Sequence, residues 1–108
     1  MTTVSAIAIL LLACGKGKVN YNPDCSTAKS YATDVSPIIQ SYCATNSGCH
    51  ASGSSNGPGP LTTYTQVYAA RTSIRTAVAN GSMPENGSLS NDQKNAILCW
   101  IDSGAANN

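Results

Sequence analysis

Cys43-Ala44-Thr45-Asn46-Ser47-Gly48-Cys49-His50 is the stretch on which the reading of this chain turns. It ends in a Cys-His dipeptide, with a second cysteine upstream. That combination is the chemistry of covalent haem attachment: each thiol adds across a vinyl group to form a thioether, and the imidazole ligates the iron. In the usual Cys-x-x-Cys-His form the two thiols lie one helical turn apart on one face. Here five residues separate Cys43 from Cys49, and Asn46 stands where the first cysteine of the short form would be. The three additional residues are close to one further turn, so Thr45 to Gly48 can loop outward while Cys43 stays at the end of a preceding helix. Two variants stay open, attachment through both Cys43 and Cys49 or through Cys49 alone, and the first is favoured. A Cys43–Cys49 disulfide beside an exposed His50 is the plainer reading of the same residues.

Before this motif, Val35, Ile38, Ile39 and Tyr42 recur at helical spacing with Pro37 in the first turn, which predicts a helix from about Asp34 to Cys43. After it, Ser52 to Pro60 (SGSSNGPGP) is a loop by composition. Thr63-x-x-Gln66 has the form of a capping box, and Tyr64, Val67 and Tyr68 share a face, so a second helix opens there and breaks near Arg71. A third runs to about Asn80 through Ile74, Ala77 and Val78, with Gly81 placed to close it. Ser90-x-x-Gln93 is a second capping box, followed by an apolar stripe of Ala96, Ile97, Trp100 and Ile101 and by Gly104 as the expected C-terminal cap. No segment alternates convincingly with period two. The expected class is therefore all-α, with long polar loops at 44–62 and 81–89.

A length of 108 residues allows one small domain. Charged residues make up 10% of the chain, against roughly a quarter in an average soluble domain, and the formal net charge is +1. No basic field is available to track phosphates, so nucleic acid is not an expected partner. Five Tyr, one Trp and no Phe make a thin aromatic inventory, which suggests that something else fills the centre. Five cysteines leave at least one outside any intrachain disulfide. The sequence shows no paired carboxylates, no nucleophile with its base and no phosphate loop, so the chain is not expected to be an enzyme.

Thr2 to Ala13 (TTVSAIAILLLA) is apolar, of signal-peptide length and too short to span a bilayer. Leu11-Leu12-Ala13-Cys14 resembles the lipobox of bacterial lipoproteins, although no Lys or Arg precedes the run. The resemblance implies a signal peptide at 1–13, lipidation of Cys14, a tether and docking segment at 14–30, and a domain at 31–108. It also implies a lipid anchor in the membrane on the periplasmic side or at the outer membrane, where exported thiols are oxidised or covalently occupied.

From Tyr31 to Ala105 the chain resembles class I cytochrome c domains, particularly those of bacterial lipoproteins. The resemblance is carried by YATDVSPIIQSYC before the Cys-His motif, GPGPL after it, then GSMPENGSLS and NAILCWIDSGA, all in family order. It implies a small helical fold around one covalently bound haem c, attached through Cys43 and Cys49, with His50 and Met83 as axial ligands. His50 is the only histidine, and Met83 is the only methionine once Met1 leaves with the signal segment, so no bis-histidine site can form within one chain. Met83 also lies in a polar loop, where a mere filler methionine does not belong. Pro60 matches the family's Gly-Pro segment, whose carbonyl accepts the Nδ1 proton of the proximal histidine, with Pro58 as the other candidate. Leu61, Ile74, Val78, Ile97 and Trp100 are expected to pack the haem, with ordinary helix core as the equal alternative for each, and Arg71 and Arg75 either meet its propionates or lie on a solvated face. The first and last helices cross in this family, which makes a Cys25–Cys99 disulfide reasonable, with two unpaired buried thiols as the alternative.

The function implied is single-electron transfer between redox protein partners at the cell envelope, with haem-to-haem assembly a further option. A haem-free lipoprotein module held by disulfides is the alternative. A copper site built from Cys43 or Cys49 with His50 and Met83 would need a second histidine, which is absent.

Overall fold

The computed structural model describes residues 20–85 and 87–108. The segment expected to be a signal peptide, 1–13, and the lipidation candidate Cys14 lie outside the described residues. A π-helical turn, Tyr31–Val35, runs into α1, Ser36–Tyr42, and is followed by α2, Tyr64–Ala69, α3, Arg71–Asn80, and α4, Asn91–Asp102. The class is all-α, with no strand among the described residues.

Short-range chemistry accounts for each boundary. Ser30 is extended; its Oγ accepts the Thr33 N–H while its own N–H donates to Asp34 Oδ2 at 2.8 Å, so the helical run begins at Tyr31, ahead of the expected Asp34. Two further N–H groups of that first turn are satisfied by Asn108, whose Oδ1 accepts from Tyr31 and whose carbonyl accepts from Ala32. The wide turn precedes Pro37, which falls at the start of α1, where a missing N–H costs nothing. Both expected capping boxes form, Thr63 with Gln66 and Ser90 with Gln93. Ala70, at φ −92° and ψ 4°, separates α2 from α3, and Gly81 closes α3 in the left-handed region at φ 77°.

The N-terminal π turn and α3 both pack on α4. Val35, Ile39, Val67, Ile97, Leu98 and Trp100 are fully buried between them. At the centre Trp100 meets Tyr31 with ring centroids 5.4 Å apart, and Tyr64 closes the triangle edge-on, 5.1 Å from Tyr31 and 6.3 Å from Trp100. The few aromatics are thus concentrated at one point, and this core is filled by the chain's own rings.

The docking segment crosses α3 and α4. Tyr21 donates its N–H to the Ala79 carbonyl and its hydroxyl to Asn95 Oδ1, which also accepts the Asp24 N–H. Cys25 and Cys99 are joined by a disulfide, with Cα atoms 5.3 Å apart. No helix among the described residues is long and apolar enough to cross a membrane.

Candidate functional site

The loop after α1 is built around Asn46. Its Oδ1 accepts the N–H groups of Gly48 and Cys49, and its carbonyl accepts those of Cys49 and Ala51, so a single turn is capped at its head by a side chain. The His50 N–H then donates to the Cys43 carbonyl at 3.0 Å. Seven positions along the sequence are thereby closed into a loop whose base holds Cys43 against His50. Ser54 and Asn56 brace it from below, donating side-chain hydrogen bonds to the carbonyls of Cys49 and Gly48.

His50 is buried, at 7% exposure, and its ring Nδ1 lies 2.9 Å from the Gly59 carbonyl. A carbonyl oxygen only accepts, so Nδ1 carries a proton, and in the neutral ring the lone pair is the one on Nε2. This is the arrangement that orients a ligating histidine and raises its basicity. The acceptor is Gly59 and not Pro60 or Pro58, which corrects the expectation by one residue. Gly59 lies at φ +94°, a conformation side chains rarely tolerate, and this turns its carbonyl toward the ring. Leu61 returns the contact by donating its N–H to the His50 carbonyl at 2.7 Å.

Cys43, Cys49, His50 and Met83 all line one cavity of about 520 Å³, with Asn46 and the exposed ring of Tyr42 on its wall. Its size lies within the range of about 300–1,000 Å³ usual for ligand and cofactor pockets. Met83 is delivered from the opposite loop: Gly81 ends α3, Asn80 Oδ1 accepts the Ser82 N–H, and the Met83 N–H donates back to Ala77. Cys43 and Cys49 are free thiols, unlike Cys25 and Cys99. Burial, and to a lesser degree the neighbouring Cys49, push the Cys43 thiol up to about 11, so at neutral pH it is held as S–H. Among the described residues no group of three or more His, Cys, Asp or Glu side chains is arranged to hold a metal ion.

The structure divides the remaining site residues differently from the sequence reading. Leu61, Ile74, Val78, Ile97 and Trp100 are buried in the protein's own core, and none of them lines the cavity. Periodicity identifies the buried face of a helix but not which neighbour covers it, and of the two readings the residues allowed, haem packing or ordinary helix core, their places in the structure fit the second. Arg71 and Arg75 are engaged elsewhere: Arg71 lies 3.9 Å from the centroid of the Tyr68 ring, and Arg75 pairs with Asp102 through two hydrogen bonds of 2.6 and 2.8 Å. Asn46, Ser54 and Gly59 were missed as supports of the site. Asn46-x-Gly48 carries an ordinary turn signal; nothing local marks Gly59 as the acceptor, because its role depends on where His50 lies.

No protein-family model matches the chain, and no match to a curated protein or to a solved structure is found.

Proposed function

We propose that this chain is a lipid-anchored monohaem cytochrome of the c type that carries single electrons between redox protein partners at the bacterial cell envelope. One observation carries the reading: two free thiols, a histidine whose Nε2 is left available by its Nδ1–H···O bond, and a thioether sulfur share one cavity. These are the groups that attach and ligate a c-type haem, and the other two described cysteines are already paired with each other. A haem held there supplies a one-electron iron couple.

The protein's own part is positional. Cys43 and Cys49 would fix the group covalently, His50 would present Nε2 along a direction set by Gly59, and Met83 would offer sulfur from the loop after α3. Keeping the Cys43 thiol protonated disfavours its oxidation to a disulfide, since the thiolate is the reactive form in that exchange. Ligation of such a haem by His50 and Met83 would favour electron transfer over oxygen chemistry.

An absorption spectrum of the protein from its native host tests this. A Soret band that stays with the polypeptide under denaturing conditions is expected. Met83→Ala is expected to abolish the weak red band of iron–thioether bonding while leaving the haem covalently attached. A colourless holoprotein with Cys43 and Cys49 oxidised to each other would overturn the reading in favour of the haem-free disulfide module.

A further inference from the structure

Gln40 lies on α1, three residues before Cys43 and on the same side of the helix. Its Nε2 donates to the Leu61 carbonyl at 2.9 Å, reaching across 21 positions of sequence. Leu61 is buried, and its N–H donates in turn to the His50 carbonyl at 2.7 Å. Two residues before Leu61, the Gly59 carbonyl accepts the Nδ1 proton of the same histidine. Residues 59–61 thus form a strap that is bonded twice to His50 and once to α1. Nothing in α1 itself requires the Gln40 amide, because the helix end is closed by the Cys43 N–H donating to Ile39.

We infer that Gln40 is a positioning residue for His50, fixing the direction of the imidazole relative to the helix that ends in Cys43. The His50 N–H already bonds the Cys43 carbonyl, which sets where the residue sits but not how its ring is turned. The ring is turned by the Gly59 carbonyl, and glycine at φ +94° has little stiffness of its own. That carbonyl is therefore held through its neighbours. On the near side the Gly59 N–H donates to the Asn56 carbonyl; on the far side Pro60, whose ring fixes φ, joins Gly59 to Leu61 and so to Gln40. Thr62 continues the strap to α2 by donating its N–H to Gln66 Oε1 at 2.9 Å, which leaves Gln40 as its side-chain link to α1. Without that link the Leu61 carbonyl loses its partner, the strap loosens and the Nδ1–H···O bond weakens. The orientation of the ring does not depend on the haem reading, whereas its consequence at iron rests on it. A firm Nδ1–H···O bond makes the imidazole a stronger donor, so with haem attached Gln40 lowers the reduction potential.

Gln40→Met keeps the length and bulk of the side chain and removes its donor. His50 is the only histidine, so its ring nitrogen signals in a magnetic resonance spectrum are assigned without ambiguity. They are recorded on the full chain as isolated from its native host, together with the reduction potential if haem is attached. In the haem-bearing protein, Gln40→Met should exchange the Nδ1 proton with water several-fold faster than wild type and raise the potential, while the Soret band and the iron–thioether band remain. In a chain without a Soret band, where the haem reading itself has failed, the ring signals decide alone: wild type should hold the Nδ1–H tautomer of the neutral ring, and Gln40→Met should admit the Nε2–H form. Gln40→Glu, of the same shape and without an N–H, gives the same comparison should Gln40→Met fail to fold. Asp102→Asn, remote from the cavity, should move neither readout. Ring signals and potential unchanged from wild type in the Gln40 variants, or shifted equally in Asp102→Asn, would overturn the inference.

Discussion

The two halves of the molecule are held by different forces. On the α4 side, apolar burial, an aromatic triangle and the Cys25–Cys99 disulfide converge on one helix that is buried along most of its second half. On the cavity side, the segments 44–60 and 81–85 contain no regular helix, and their shape rests on backbone hydrogen bonds closed by Asn46, Ser54, Asn56 and Asn80. The core side is therefore stabilised by area removed from water, and the cavity side by polar groups satisfied one at a time. Chemistry-bearing residues fall almost wholly on the second side, where loops position function on a rigid support. The comparison teaches that stability and chemistry are separable here, and variants on the two sides should fail in different ways.

The largest effects belong to the core. Trp100→Ala removes the ring that touches both Tyr31 and Tyr64, and truncation of a fully buried aromatic costs about 3–5 kcal/mol, a large part of the stability of a domain this size. Thermal unfolding should show a severely lowered midpoint or no cooperative transition. Replacing both Cys25 and Cys99 by Ala opens a loop of 74 residues and should cost up to about 4 kcal/mol in the chain-entropy model. A denaturant titration of the double variant measures this loss. If the midpoint is unchanged, the α4 side is not the part that the crosslink secures.

A cavity-side variant should invert that pattern. Asn46→Ala removes the acceptor for Gly48 and Cys49 from an exposed turn, a loss of about 1 kcal/mol by analogy with helix caps. Global stability then falls only slightly, while the closed loop that holds Cys43 beside His50 loosens. If the chain carries the proposed haem, its covalent haem content, measured as the ratio of Soret to protein absorbance, should drop well below wild type, and Asn46→Asp, which keeps the acceptor oxygen, should restore much of it. Equal losses of stability and haem in Asn46→Ala would show that the two sides are coupled after all.

The same division explains how much could be read from the residues in advance. Helix ends were legible where the deciding partners lie three or four positions apart: Thr63 with Gln66, Ser90 with Gln93, and Gly81 after α3. The start of the first helical run was misplaced because its capping acid, Asp34, lies four residues from Ser30 and its remaining donors are met by Asn108 from the far end of the domain. In the site, the residue types declared themselves, since free thiols, histidine and methionine are few. What the pattern could not supply was direction. Gly59 rather than Pro60 faces the imidazole because of a backbone turn, and Leu61, Ile74, Val78, Ile97 and Trp100 lie in the buried core rather than on the cavity wall because of how the elements pack together.

The smallest effect tests the seam between α3 and α4 from outside. Arg75 and Asp102 form a bidentate pair on that surface, and the hydrogen bond from Arg75, followed by its charge, holds the Asp102 carboxyl below its ordinary value of 3.8. A carboxyl whose folded pKa is depressed contributes stability that is fully present above the unfolded pKa and is lost as pH falls through the folded one. The contribution should therefore be constant from neutrality down to the ordinary aspartate range and disappear in the acid limb below it. Both side chains are more than a third exposed, 39% and 38%, so water and salt screen the pair and its worth is at most about 1 kcal/mol. Asp102→Asn should lower the unfolding midpoint slightly at pH 7, and the difference from wild type should shrink as the pH falls and as salt is raised. A difference that persists into the acid limb would assign the loss to the packing of α3 on α4 and not to the charge, placing Asp102 with the apolar contacts of the core side.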